Sequence, residues 1–99
     1  MNDPRLLRLA PDDNICVART TIAAGETIWI GGRDVTVPVP IPTGHKIAVR
    51  AIAAGEKVFK YGAPIGSATQ PIAPGDYVHT HNLKSDYLPT FARGANYEA

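Results

Sequence analysis

Cysteine is almost missing from this 99-residue sequence, where Cys16 is the sole example. One thiol cannot close an intrachain disulfide, nor build a cysteine-based zinc site within the chain. A lone thiol in a core position fits a reducing compartment. A dominant charge is missing too. Ten Lys and Arg oppose nine Asp and Glu, for a formal net charge of +1. That balance supplies no field to draw the chain onto nucleic acid or an anionic membrane. No apolar run approaches the roughly 20 residues that span a bilayer. Residues Met1 to Ala10 interleave Asp3, Arg5 and Arg8 with Leu6, Leu7 and Leu9. They lack the unbroken apolar stretch of a secretory signal, so the expected location is the cytoplasm. The length allows one domain and is too short for two.

Stretches that favour long helices are also scarce. Nine Pro and nine Gly are spread along the chain and punctuate it with turns. One phrase recurs between them. Ile22-Ala23-Ala24-Gly25-Glu26 returns as Ile52-Ala53-Ala54-Gly55-Glu56 and as Ile72-Ala73-Pro74-Gly75-Asp76, with a looser copy at Ile41-Pro42-Thr43-Gly44-His45. Ala or Pro suits the second position of a type II turn, and Gly supplies its positive φ. The acid after Gly is expected to face solvent, and a strand to follow. The copies start 19, 11 and 20 residues apart, which is no regular solenoid period.

Short strands are expected between the turns: Asn14 to Arg19, Thr27 to Ile30, Val35 to Val39, Lys46 to Ile52, Val58 to Tyr61, Ile65 to Ala68 and Tyr77 to His81. Val35, Val37 and Val39 alternate with Thr36 and Pro38, and Ile47, Val49 and Ala51 with Lys46, Ala48 and Arg50. Many short strands joined by Gly and Pro turns indicate an all-β fold, a small barrel or β-clip. Residues 1–84 form the expected domain and 85–99 a C-terminal arm. Tyr87, Leu88, Phe91 and Tyr97 make that arm apolar enough to cover this domain or a partner. Trp29 reads as a core or interface residue, Cys16 as a small core residue, and Asp12-Asp13-Asn14 as a solvated turn.

The chemistry-bearing side chains are few. His79 and His81 lie two apart on an expected strand and so share a face, where two imidazoles could bind a divalent metal, flank an anionic substrate or simply be polar surface. His45 sits in a turn beside Lys46, an acid or base next to a cation. Lys60 could take a carboxylate, with Gly62 allowing close backbone approach, or could be a surface lysine ending a strand. There is no phosphate loop, zinc-protease helix or nucleophile elbow. A complete active site is not present, so catalysis would need a second chain.

These residues carry a resemblance. Asp13-Asn14-Ile15-Cys16-Val17-Ala18, Gly44-His45-Lys46-Ile47-Ala48, Val58-Phe59-Lys60-Tyr61-Gly62-Ala63-Pro64-Ile65-Gly66 and Gly75-Asp76-Tyr77-Val78-His79-Thr80-His81-Asn82 follow in that order. In this the chain resembles the SAF-type β-clip domain of altronate and galactarate dehydratases. It is also similar to the small subunit of two-chain members such as sulfolactate sulfo-lyase. The family commonly has a third histidine where this sequence has Tyr77. Tyr77 is expected to face away from His79 and His81.

The resemblance implies a small subunit of a hydro-lyase that dehydrates a sugar acid to a 2-keto-3-deoxy acid. Its partners would be a larger catalytic chain, in a hetero-oligomer, and the sugar acid itself. The chain ends at Ala99 where fused members continue, which suits a separately encoded subunit. His45, His79 and His81 are the implied acid/base groups. Lys46, Lys60 and Asn82 are the implied substrate contacts, with Asn82 orienting a histidine or donating to substrate. The cofactor implied is a divalent metal, iron(II) or manganese(II), which His79 and His81 could contact. SAF domains also occur in sialic acid synthases, antifreeze-like proteins and flagellar or pilus assembly proteins. The alternative is therefore a non-catalytic module that caps or stabilises a partner.

Overall fold

The computed structural model describes residues 3–86. Among them there is no helix, and nine short strands carry the fold: β1 (Leu6–Leu7), β2 (Ile15–Ala18), β3 (Thr27–Ile30), β4 (Arg33–Thr36), β5 (Lys46–Ala48), β6 (Lys57–Lys60), β7 (Ala63–Ala68), β8 (Tyr77–Val78) and β9 (Leu83–Lys84). All pairings are antiparallel. One sheet has the order β1-β2-β5-β8, β3 and β4 form a hairpin, and a third sheet has the order β6-β7-β9. The all-β expectation holds.

All four copies of the recurring phrase make the same turn. The residue after Gly donates its backbone N–H to the carbonyl three residues back, in Glu26 to Ala23, His45 to Pro42, Glu56 to Ala53 and Asp76 to Ala73. The four glycines have φ between 84° and 89°, the left-handed third position of a type II turn. The acids lie at the solvent surface and also bond back to their own turns. Carboxylate oxygens of Glu26, Glu56 and Asp76 accept the N–H of Ala23, Ala53 and Ala73 at 2.8–2.9 Å, and so seal their own turns.

The copies also pair. Ile22 bridges to Ile41, and Ile52 to Ile72. Reciprocal bonds of Val37 with Gly25 and Glu26 recur between Ala68 and Gly55 and Glu56; those of Ala18 with Gly44 and His45 recur between Ala48 and Gly75 and Asp76. Ile52 follows Ile22 by 30 residues and Ile72 follows Ile41 by 31. The uneven spacings therefore hide a two-fold internal repeat, which corrects the reading of one turn merely reused.

The buried side chains form two cores. Leu6, Cys16, Ala18, Ile22, Ile28, Ile30, Val37, Ile41, Ile47 and Val49 form the first. Ile15, Ala48, Ile52, Val58, Ala68, Ile72 and Val78 form the second. The four-stranded sheet lies between them, with Ile47 in one and its neighbour Ala48 in the other. A strand covered on both faces cannot alternate apolar with polar, so the expected alternation from Lys46 to Ile52 fails and β5 ends at Ala48.

Other expectations are corrected. The strand expected at Val35 to Val39 lies two residues earlier, and that at Tyr77 to His81 stops at Val78. Trp29 is not in the core but 41% exposed on β3, whereas Cys16 is fully buried. Asp13 and Asn14 are buried rather than solvated. Both Asp13 carboxylate oxygens accept backbone N–H groups, from Tyr61 at 2.9 Å and Gly62 at 2.8 Å. Asn14 donates to the Lys57 carbonyl and accepts from the Phe59 N–H. Together they clamp the β6–β7 hairpin, whose turn residues Tyr61 and Gly62 both have positive φ, as a two-residue hairpin turn demands. At the other end, Lys84 pairs with Ser67. Asp86 takes the Lys57 ammonium at 2.7 Å and the Ser67 hydroxyl. Tyr87, Leu88, Phe91 and Tyr97 lie outside the described residues.

Candidate functional site

The second and fourth turns feed β5 and β8, which are neighbours in the central sheet, with Lys46 opposite Val78 and Ile47 opposite Tyr77. This register sets His45, just before β5, beside Tyr77, the first residue of β8. His45 Nδ1 lies 2.6 Å from the Tyr77 hydroxyl. The three histidines and Tyr77 form one cluster of rings. His45 is 5.3 Å from His79 and 5.7 Å from Tyr77, centroid to centroid. Tyr77 stacks on His79 at 5.4 Å with 7° between the planes, and tilts against His81 at 5.7 Å. His45 and Tyr77 are half-buried, and His79 and His81 are exposed.

Tyr77 therefore does not face away from the histidines. Residues two apart share a strand face, so Tyr77 would join His79 and His81 even in a strand running to His81. Instead the chain turns after Val78, where the His79 carbonyl accepts from the N–H groups of both Asn82 and Leu83. Asn82 is 3% exposed and fixes that turn. Its Oδ1 accepts the His79 N–H at 2.9 Å, and its Nδ2 donates to the Tyr77 carbonyl at 2.8 Å. With both ends of the amide bound to backbone, Asn82 orients the ring-bearing loop and does not reach outward.

The two lysines form a separate group. Strand alternation puts Lys46 on the side of Ala48, toward the second core, and away from Ile47. Its ammonium is held below the usual lysine range, first by burial and then by the charge of Lys60 nearby. The ion pairs among the described residues are Arg5 with Asp3 and Glu26, Arg50 with Glu56, and Lys57 with Asp86. They leave Lys46 and Lys60 without a carboxylate.

The metal expectation has less support. Among the described residues no three His, Cys, Asp or Glu side chains converge to hold an ion. His79 and His81 each pack on the Tyr77 ring, and two imidazoles alone do not fill the coordination of iron(II) or manganese(II). Sequence reasoning overlooked three residues that shape this site. Tyr77 was set aside by a miscount of strand alternation, which puts 77, 79 and 81 on one face. Asp13 and Asn14 were taken for surface, although a polar pair just before an apolar strand is also the pattern of a buried clamp.

Residues 4–86 match the SAF domain of the altronate/galactarate dehydratase family. The chain is 36% identical over 80 residues to altronate dehydratase of Bacillus subtilis strain 168, covering 81% of this chain and 16% of that protein. It is 40% identical over 74 residues to altronate dehydratase of Escherichia coli K12, covering 75% and 15%. It is also 40% identical over 70 residues to the (2R)-sulfolactate sulfo-lyase subunit alpha of Chromohalobacter salexigens, covering 65% of this chain and 74% of that subunit. The matched segment thus spans about a sixth of the altronate dehydratases and about three quarters of the sulfo-lyase subunit.

Proposed function

The chain belongs to the altronate/galactarate dehydratase SAF domain family, and from that premise we propose that it is the small chain of a two-chain lyase in the cytoplasm. The reaction is loss of water from a sugar acid of the aldonate or aldarate type, giving a 2-keto-3-deoxy acid. The observation that carries this reading is the match over 74% of a protein that is named as one subunit of a sulfo-lyase. A larger chain would supply the rest of the active site.

Elimination next to a carboxylate needs a base for the carbon-bound proton, a cation for the carboxylate and enolate, and an acid for the departing oxygen. His45, His79 and His81 are the proton-transfer groups on this chain. The Lys46 and Lys60 pair takes the carboxylate. Asn82 acts through the loop that it holds. A divalent ion, iron(II) or manganese(II), belongs to the proposal only as a group held largely by the larger chain, because the described residues offer no three-ligand set. No step is assigned to it.

The test is affinity purification of the tagged protein from its native cells, with mass spectrometry of what stays bound. A stoichiometric larger chain is expected, and the complex should dehydrate at least one acid in a panel of aldonates and aldarates, or release sulfite from sulfolactate. His79→Ala or His81→Ala should then lower turnover by roughly two orders of magnitude. A protein recovered alone and inactive on the whole panel would favour the capping module instead.

A further inference from the structure

Resting on the lyase reading above, we propose that the Tyr77 hydroxyl is a catalytic group of this site, the acid that protonates the departing oxygen, with His45 as the positioning residue that holds and resupplies it.

The four turns isolate His45. In three of them the residue after Gly is an acid that seals its own turn against the N–H of Ala23, Ala53 or Ala73. In the second turn of the chain both partners of that seal are missing together. The fourth residue is His45, and the position of the donating N–H is held by Pro42, which has none. The turn still closes through the His45 N–H and the Pro42 carbonyl. The imidazole thus has no part in the turn, and it goes to Tyr77 instead.

Nor is the bond to Tyr77 needed to join the strands. β5 and β8 are already paired, and Ala48 exchanges backbone bonds with Gly75 and Asp76. A 2.6 Å contact between a phenol and an imidazole can carry a proton in either direction. A neutral Nδ1 accepts from the hydroxyl, and a charged imidazole donates to it. The stacked His79 ring and the tilted His81 ring fix the phenol plane, so the hydroxyl is aimed as well as bonded.

The step balances in protons and electrons. His79 removes the proton from the carbon next to the carboxylate, and that C–H electron pair becomes the C=C bond of the enol. The C–O pair leaves with the hydroxyl oxygen, which takes the Tyr77 proton and departs as water. His45 enters the step as the imidazolium, and its Nδ1 proton passes to the Tyr77 oxygen, leaving the neutral Nε2–H form. The tyrosine ends unchanged, His79 has gained one proton and His45 has lost one, and solvent exchange resets both.

Tyr77→Phe tests this, because it keeps the ring between His79 and His81 and removes only the hydroxyl. In the 15N-labelled chain at a pH where its histidines are neutral, His45 should be held as the Nε2–H tautomer. Tyr77→Phe should shift it toward a mixture. In the complex with the larger chain, Tyr77→Phe should lower kcat on the hydroxy acid by 100-fold or more, with KM changed less than about threefold. With an analogue carrying fluoride in place of the departing hydroxyl, which leaves without a proton, the deficit should shrink at least tenfold. Unchanged His45 nitrogen shifts, a wild-type kcat, or an equal deficit on both substrates would each overturn the proposal while leaving the lyase reading intact. A wild-type complex inactive on the whole panel would remove the lyase reading and this proposal with it.

Discussion

His45 and Asp76 are counterparts, each the fourth residue of a type II turn and 31 residues apart, yet only Asp76 seals its turn with its side chain. One half of the repeat keeps a structural acid where the other half has an imidazole bonded to Tyr77. A position released from a structural duty in one copy is free to do chemistry there.

The seal should be restorable. Pro42→Ala supplies the missing N–H and His45→Glu supplies the carboxylate. In a double-mutant cycle the pair should show favourable coupling of about 0.5–1.5 kcal/mol, the worth of one hydrogen bond. The same double variant should lose activity. Additive effects in urea unfolding would mean that the Pro42–His45 turn does not accept the seal of the other three.

Asn82 should matter out of proportion to its size. Asn82→Ala leaves the His79 N–H and the Tyr77 carbonyl without the partners they have now. The expected cost is about 2 kcal/mol in denaturant unfolding, since stranded polar groups cost about 1–3 kcal/mol each and water can reach part of this loop. Asn82→Asp keeps the acceptor but not the donor and should fall between. An Asn82→Ala protein as stable as wild type would show that the loop holds itself.

Asp13 should behave as a hairpin clamp. Asp13→Ala removes both acceptors from the Tyr61 and Gly62 N–H groups, with an expected loss of about 2–3 kcal/mol. Tyr61 has φ 58°, uncomfortable for a large side chain. Tyr61→Gly should therefore recover part of that loss. No recovery, with Tm as the readout, would separate the clamp from the turn's backbone strain.

Acid should unfold the domain through four carboxylates. The Arg5 guanidinium holds Asp3 down at about 2. Glu26 is lowered by the Ala23 N–H and by Arg5, Glu56 by Arg50 and the Ala53 N–H, and Asp86 by Lys57 and Ser67. Each has a folded pKa below its unfolded one. Their contribution is thus complete above the unfolded values, near 4, and is lost as pH falls through the folded ones. Tm should be nearly flat from pH 7 to 5 and fall from about pH 4 to 2. Asp3→Asn should flatten the lowest part of the curve. A Tm constant down to pH 2 would contradict this.

The turns were legible because Gly at a fixed offset from Ile has one good explanation, a left-handed backbone. Thr27–Ile30 was legible because its span is bounded by turn glycines on both sides. Leu6–Leu7 and Leu83–Lys84 were not, since two residues have no period. Asp13 and Asn14 misled because a polar side chain is the same letter whether it meets water or a buried N–H. His79 and His81 were paired through a strand that stops at Val78, and His45 was placed apart from them in a turn; Tyr77 is the ring that links all three. A turn held by Asn82 and the pairing of β5 with β8 bring them together, and neither is local to the histidines.

The central sheet is a party wall. Because Ile47 and Ala48, adjacent on β5, belong to different cores, neither half of the repeat owns a complete interior. A chain cut between the halves would leave each fragment with one bare sheet face. Despite its internal repeat, the domain should melt as a single cooperative unit, with the amides of β2 and β5 the last to exchange with solvent.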